Sequence, residues 1–160
     1  MEALSQAIRG YCASHPEAQF SSVADEFCVT EGTVLAALEG EIASRLTNFD
    51  LFELAQELST WGKLRLVIRN RAALSEMLGT LQGVRLSKGW LSVENDHFHL
   101  HLKAEEIRQI YLVRKAAPPA RVSYSVQFLD GTGAVVLKAF LLETADGSGQ
   151  VERFDGLMRR

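Results

Sequence analysis

The chain has 160 residues, of which 47% are hydrophobic and 23% are charged. These values are typical of one soluble globular domain with a buried core, and they exclude collagen-like, coiled-coil and disordered chains. The apolar segment 134–142 is interrupted by Lys138, and no run reaches the roughly 18 apolar residues that a membrane-spanning helix needs. The opening sequence MEAL lacks the basic region of a signal peptide, and neither Cys12 nor Cys28 belongs to a CxxC motif. We therefore expect a cytoplasmic protein with reduced thiols and no membrane contact.

The overall net charge of −3 is divided unevenly along the chain. Residues 1–60 carry ten acidic and two basic side chains, a net charge of −8, whereas residues 61–160 carry ten acidic and fifteen basic ones, a net charge of +5. The acidic part should repel nucleic acid, and the basic part is suited to an anionic ligand. The alternative interpretation is that both are ordinary solvated faces.

The first 60 residues show the spacing of amphipathic helices. Leu4, Ile8 and Tyr11 follow the helical period, and His15-Pro16 ends that helix. A second helix is predicted over 23–27 with a Ser21-Ser22 cap, and a third over 30–38 that begins with Thr30 and Thr33. A fourth is predicted over 50–58, with Asn48 or Asp50 as its cap. Its apolar face consists of Leu51, Leu54, Ala55 and Leu58.

The segments 22–27 and 30–38, joined near Cys28-Val29, resemble a helix-turn-helix unit. The second helix exposes Glu31 and no Lys or Arg, and two further glutamates follow it. Because phosphate contacts supply most of the nonspecific affinity for DNA, this acidic surface argues against a DNA-binding regulator, and we expect no nucleic-acid partner.

From Trp61 onward the hydrophobic period changes to two, which is typical of strands. Predicted strands cover 64–69, 107–115, 122–128 and 134–142, with a hairpin turn at 130–133, a break at Pro118-Pro119 and a short C-terminal helix after 146–149. The segment 73–81 is ambiguous between helix and strand. The predicted fold class is α+β: a single domain over 1–160 with a helical segment over 1–60 and a large antiparallel sheet over 61–160.

Three of the four histidines lie at a spacing of two, which places His97, His99, His101 and Lys103 on one face of a strand. The preceding segment 90–94 also alternates, so a two-residue turn at 95–96 would align the apolar residues of both strands. That register predicts Trp90 opposite His101 and Ser92 opposite His99.

Imidazoles ligate zinc, copper, nickel and haem iron, so two functions remain open. One is a metal-dependent enzyme that uses His97, His99 and His101. The other involves a larger anionic ligand, because Lys63, Arg65, Arg69 and Arg71 share one face of the strand that follows Trp61-Gly62. Like charges on one side of a sheet repel unless an anion lies between them, although such cations also protect edge strands from aggregation. A flat apolar ligand with carboxylates and a metal, such as haem, would use imidazole, tryptophan and cations together.

The same residues resemble the bacterial intracellular haem-utilisation carriers of the HutX/ChuX type. The similarity covers about residues 5–142, with the motifs in the same order. The similar segments are VADEF with VLAAL, TWG followed by a basic strand, GWL, HLKAE, IYLVRK, and FLDGTG running into VLKAFL. The resemblance implies a haem-binding homodimer in the cytoplasm that hands haem on to a haem-degrading protein. It also implies that 73–81 is a strand.

The resemblance implies two histidine ligands for haem iron, one in the HLKAE motif and one in the strand after Trp-Gly. The first corresponds to His101, whereas the second position is Arg69 here, and the family's frequent tyrosine after Gly is Trp90. We therefore expect His101 as the iron ligand, with His99 as its substitute. For the haem propionates, the first expected partner is Arg69, and the next are Lys103 or Arg65. The sequence shows no distal acid or base, so a carrier is favoured over an enzyme.

Overall fold

The computed structural model describes residues 1–117, 119, 121–142 and 149–160, so the predicted breaks at Pro118 and at 146–148 lie outside the described residues. It confirms an α+β fold with helices before an antiparallel sheet. The helices are α1 (Glu2–Ser14), α2 (Phe20–Phe27), α3 (Glu31–Ala37), α4 (Leu51–Ser59) and α5 (Gln150–Met158). The strands are β1 (Ala43–Arg45), β2 (Leu64–Arg69), β3 (Leu74–Gly79), β4 (Arg85–Ser87), β5 (Trp90–Glu94), β6 (His99–Lys103), β7 (Gln109–Ala117), β8 (Arg121–Leu129) and β9 (Val135–Leu141).

The strands form two antiparallel sheets. The large sheet has six strands in the order β1-β7-β8-β9-β2-β3, and the small sheet has three in the order β4-β5-β6. The ambiguous segment 73–81 contains β3, as the resemblance implied. The three-residue strands β1 and β4 were not predicted, and β1 lies within the segment that was expected to be helical.

Two hydrophobic cores lie on opposite sides of the large sheet. One core joins its apolar face, which includes Leu64, Leu66 and Phe128, to α4, α5 and the inner face of the small sheet. The other core lies between the opposite face of the large sheet and helices α1 to α3, around Ile8 and Leu35. The chain is therefore layered as helices α1 to α3, then the large sheet, then the small sheet with α4 and α5 packed on the same side.

Two of the predicted helices begin with a side-chain cap. The Thr30 hydroxyl accepts a hydrogen bond from Thr33 N before α3, and the Asp50 carboxylate accepts one from Glu53 N before α4. The predicted serine cap of α2 is wrong, because that helix begins at Phe20, whose burial in the core draws the first turn upstream of the serines.

The α2–α3 unit is held against the turn between β8 and β9. Gly32 N donates to Gly133 O over 2.9 Å, and a Cβ at Gly32 would lie 2.8 Å from that oxygen. In the same turn, the Asp130 carboxylate accepts a hydrogen bond from the Thr132 hydroxyl and weaker contributions from backbone N–H groups. These bonds, the hydroxyl first, hold the pKa of the Asp130 carboxyl below its usual value.

No helix among the described residues combines the length and the apolar character needed to cross a bilayer.

Candidate functional site

The hairpin of β5 and β6 carries the histidines, but its register differs from the prediction. The observed pairs are Trp90 with Lys103, Ser92 with His101 and Glu94 with His99, a shift of two residues that leaves the same side chains on each face. The predicted pairs, Trp90 with His101 and Ser92 with His99, are therefore wrong.

The turn at residues 95–98 explains this shift. The Asn95 side-chain oxygen accepts hydrogen bonds from His97 N and Phe98 N, and Asn95 N donates to Phe98 O. The Phe98 ring packs against Gly79 of β3, so closely that a Cβ there would lie 2.6 Å from a ring carbon. Phe98 therefore belongs to the turn and packs on the large sheet, and His97 lies in the turn outside the strand.

We call the outer side of this sheet the histidine face. It consists of Arg85 and Ser87 of β4, Trp90, Ser92 and Glu94 of β5, and His99, His101 and Lys103 of β6. The opposite side, with Leu91, Val93, Leu100 and Leu102, is buried in the core.

His101 is held by its neighbour on β5. Its Nδ1 lies 2.7 Å from Ser92 Oγ, and Ser92 is only 8% exposed. The other nitrogen, Nε2, lies 4.0 Å from a Glu94 oxygen, which in turn accepts a hydrogen bond from Arg85 over 2.7 Å. With 44% of its side chain exposed, His101 presents Nε2 toward the outer side of the sheet.

Trp90 and Lys103 lie opposite each other at the other end of this face. Trp90 is 45% exposed, an unusual position for so large an aromatic side chain. Lys103 Nζ lies 2.9 Å from Glu105 and 3.8 Å from Glu106. The hydrogen bond to Glu105 raises the pKa of Lys103.

Arg65 and Arg69 lie elsewhere, in a cavity of about 890 Å³ between the large sheet and the α2–α3 unit. We call it the polar cavity. The Arg69 guanidinium donates to Ser21 Oγ over 2.9 Å and to Gln19 Oε1 over 3.4 Å, which ties β2 to the start of α2. Arg71 also lines this cavity.

The structure therefore divides the sequence-predicted site residues into two groups. The odd-numbered residues of β2 face the helices, whereas the histidine face lies beyond the core and the small sheet, at the far side of the molecule. Within one chain, Arg69 therefore does not lie next to His101 and Trp90, and its pairing with a haem propionate stays a prediction. Strand alternation assigned His99, His101, Arg65 and Arg69 to their faces correctly, but its placement of His97 on the strand face is wrong, because that residue lies in the turn. Only the tertiary layering shows that the two faces are opposite.

The three strand histidines also do not form a metal site. His97 lies in the turn, and within the described ranges no three His, Cys, Asp or Glu side chains converge as ligands of one metal ion. Among the described residues, the small-ion site that the sequence left open therefore has no third ligand beside the histidines.

A model of the family "Haem utilisation ChuX/HutX" matches residues 44–157. The chain belongs to this family. It is 22% identical over 143 residues to the intracellular heme transport protein HutX of Vibrio cholerae, covering 88% of this chain and 74% of HutX. This family assignment confirms the resemblance seen in the sequence motifs.

Two solved structures have the same fold. The heme binding protein ChuX superposes with a TM-score of 0.80 at 21% identity, covering 98% of this chain and 97% of that chain. The heme degrading enzyme ChuS of Escherichia coli O157:H7 has a TM-score of 0.84 at 19% identity, covering 99% of this chain but 46% of ChuS. This fold thus makes up nearly all of ChuX and about half of the larger ChuS.

Sequence reasoning missed the polar residues under the helices. Ser125 and Gln127 alternate with apolar residues along β8, a pattern that predicts a solvated face. Both are instead only 2% exposed and line the polar cavity, because the α2–α3 unit covers this side of the sheet.

Proposed function

We propose that this protein binds haem as its cargo on the histidine face, with His101 as the axial ligand of the iron. The observation that carries the proposal is the hydrogen-bond distance between Ser92 Oγ and His101 Nδ1. Metal-ligating histidines usually donate their second N–H to such a partner, which fixes the ring orientation and the tautomer. With the Nδ1 proton donated to Ser92, the lone pair of Nε2 points outward and is available to iron.

The remaining residues of the face fit a flat, amphipathic ligand. Trp90 offers an exposed aromatic surface next to the imidazole row, and Lys103 opposite it supplies a cation for a propionate. His99 is the substitute ligand, two residues from His101 on the same strand. Glu94 lies 4.0 Å from Nε2 but forms its ion pair with Arg85 over 2.7 Å, so the imidazole is free to bind iron.

We further propose that the protein is a carrier and not an enzyme. An open face with one strong ligand releases haem more readily than a closed pocket with two imidazoles. ChuX and HutX are named as a haem-binding and a haem-transport protein, which supports the same role here. The receiving partner would be a haem-degrading protein, and the carrier would act in the cytoplasm as a homodimer.

Titration of the apo-protein with haemin tests this function. We expect a saturable Soret shift at one haem per chain and a higher melting temperature, because a ligand that binds only the folded state stabilises it. His101→Ala should change the spectrum and weaken binding, whereas the matched control His97→Ala, in the exposed turn, should change neither. The spectrum of free or aggregated haem with no thermal shift would overturn haem binding. Loss of the Soret band to an open-chain product after addition of a reductant would instead identify a haem-degrading enzyme.

A further inference from the structure

The edge strand β3 is poorly covered on both of its faces. Four of its six residues are exposed, among them Leu74 and Leu78, which are 55% and 58% exposed. Both leucines lie on the side of the large sheet that carries the odd-numbered residues of β2, because Leu74 pairs with Arg69 and Leu78 pairs with Arg65. Two large apolar side chains left in water on one strand indicate a surface that a partner covers.

The outer edge of β3 is also open to a further strand. In the part of the chain that the structure describes, β3 pairs with β2 alone, in one continuous register without a bulge. Proteins usually protect such an edge with a very short strand, a bulge, a proline or a lysine, and β3 has none of these. The opposite edge of the sheet, β1, has only three residues, and the turn before it covers this strand, where Gly40 N donates to Ala43 O over 2.9 Å.

The sequence of β3 is complementary to a second copy of itself. If two copies pair antiparallel with Glu76 on the two-fold axis, Leu74 of each copy lies opposite the partner's Leu78, and both exposed leucines are covered by an apolar side chain. Registers shifted by two residues keep each side chain on its side of the sheet, but they would place Leu74 or Leu78 opposite the partner's Glu76 instead.

The charges beside β3 also favour this register. Glu76 makes no ion pair with another described residue, and it pairs with Val67 of β2, which has Arg65 and Arg69 two residues away on either side and on the same face. At the two-fold axis, the arginines of both copies would therefore surround the two carboxylates. This excess of positive charge offsets the repulsion between the carboxylates.

We propose that two copies of this chain associate through β3, with Glu76 at the two-fold axis, and join their six-stranded sheets into one continuous sheet. We call this contact the β3 interface. It closes after two copies, because each copy contributes one β3 edge. The β3 interface rests on the proposed function only for the homodimer. It does not require bound haem, and it assigns no ligand to the polar cavity.

Sedimentation equilibrium of the haem-free protein tests this association, and we expect a dimer and no larger species. Leu78→Gln keeps a similar volume but removes an apolar partner from both leucine pairs, so it should raise the dissociation constant of the dimer by about tenfold or more. The matched control is Leu86→Gln on β4, a leucine that is 50% exposed, which should leave the constant unchanged. Circular dichroism checks that both variants are folded.

Disulfide crosslinking tests the register, in a background in which Cys12 and Cys28 are replaced by serine. Directly opposed residues of antiparallel strands have Cα atoms about 4.5–5.5 Å apart, a distance that a disulfide can span. Glu76→Cys should therefore form a covalent dimer on oxidation. Ser75→Cys, which lies opposite the partner's Met77 in this register, should stay a single chain in denaturing electrophoresis.

A monomeric wild type, an unchanged dissociation constant in folded Leu78→Gln, or crosslinking of Ser75→Cys in place of Glu76→Cys would overturn the β3 interface. Haemin titration of the same proteins separates this proposal from the haem site. Haem binding by a monomeric wild type would overturn the interface alone, whereas a dimer that crosslinks at Glu76→Cys but binds no haemin would support the interface and overturn the haem function.

Discussion

Ser92→Ala tests whether the hydrogen bond between Ser92 and His101 orients the proposed haem ligand. The substitution removes the hydroxyl that lies 2.7 Å from His101 Nδ1 and leaves the strand and its apolar face unchanged. Loss of such a partner typically weakens metal binding by about 10–100-fold, or about 1.4–2.7 kcal/mol. Because the His101 side chain is 44% exposed, water can replace part of the lost hydrogen bond, so we expect a value near the lower end, about tenfold.

Haemin titrations of wild type and Ser92→Ala, followed in the Soret band, measure this difference. The matched control is Ser87→Ala on β4, an exposed serine on the same face opposite Trp90, which makes no hydrogen bond from its side chain to another described residue. Urea unfolding of the apo-proteins should show a loss of about 1 kcal/mol or less for Ser92→Ala. Haem affinity of Ser92→Ala within twofold of wild type, or an equal loss in Ser87→Ala, would refute the orienting role of Ser92.

Three further predictions follow from the layering and the turns. Gly32→Ala should lower the free energy of unfolding by about 1–3 kcal/mol, because the new methyl group meets the Gly133 carbonyl. Gly10→Ala, in an open position within α1, should instead raise the free energy of unfolding by about 0.5–1 kcal/mol. Urea unfolding distinguishes the two signs. Asp130→Ala should be less stable than wild type above about pH 4, and the difference should vanish as the pH falls through the depressed pKa of that carboxyl; a constant difference down to pH 2 would contradict this. Arg69→Ala should weaken haem binding and leave the fold intact, because the charge predicted to pair with a haem propionate is lost; unchanged affinity would limit Arg69 to its hydrogen bonds with Ser21 and Gln19.

Most of the elements could be predicted from local sequence patterns. The helices that begin at Thr30 and Asp50 depend on caps and periodicity that act within a few residues, and the structure reproduces them. The assignment of His99 and His101 to one face of a strand is equally local, and it is also correct. The three-residue strands β1 and β4 are too short to show a period of two, and they form because longer strands pair with them.

The features that could not be predicted depend on contacts between distant parts of the chain. The predicted register of the β5–β6 hairpin was wrong because Phe98 packs on Gly79, 19 positions earlier in the sequence, and this contact makes the turn longer. The separation of Arg69 from His101 depends on which sheet each strand joins and which side the helices cover. The family resemblance, in contrast, could be found in the sequence, because it depends on the order of short motifs and not on their contacts.

In the proposed haem complex, His101 alone supplies the strong axial ligand of the iron. The electron paramagnetic resonance spectrum of the ferric haem complex tests it most directly, recorded for wild type and for His101→Ala under the same conditions. One imidazole leaves the iron five-coordinate or water-ligated, so we expect a high-spin signal in wild type that is lost or clearly altered in His101→Ala. A low-spin bis-histidine signal in wild type, or identical spectra of the two proteins, would contradict it.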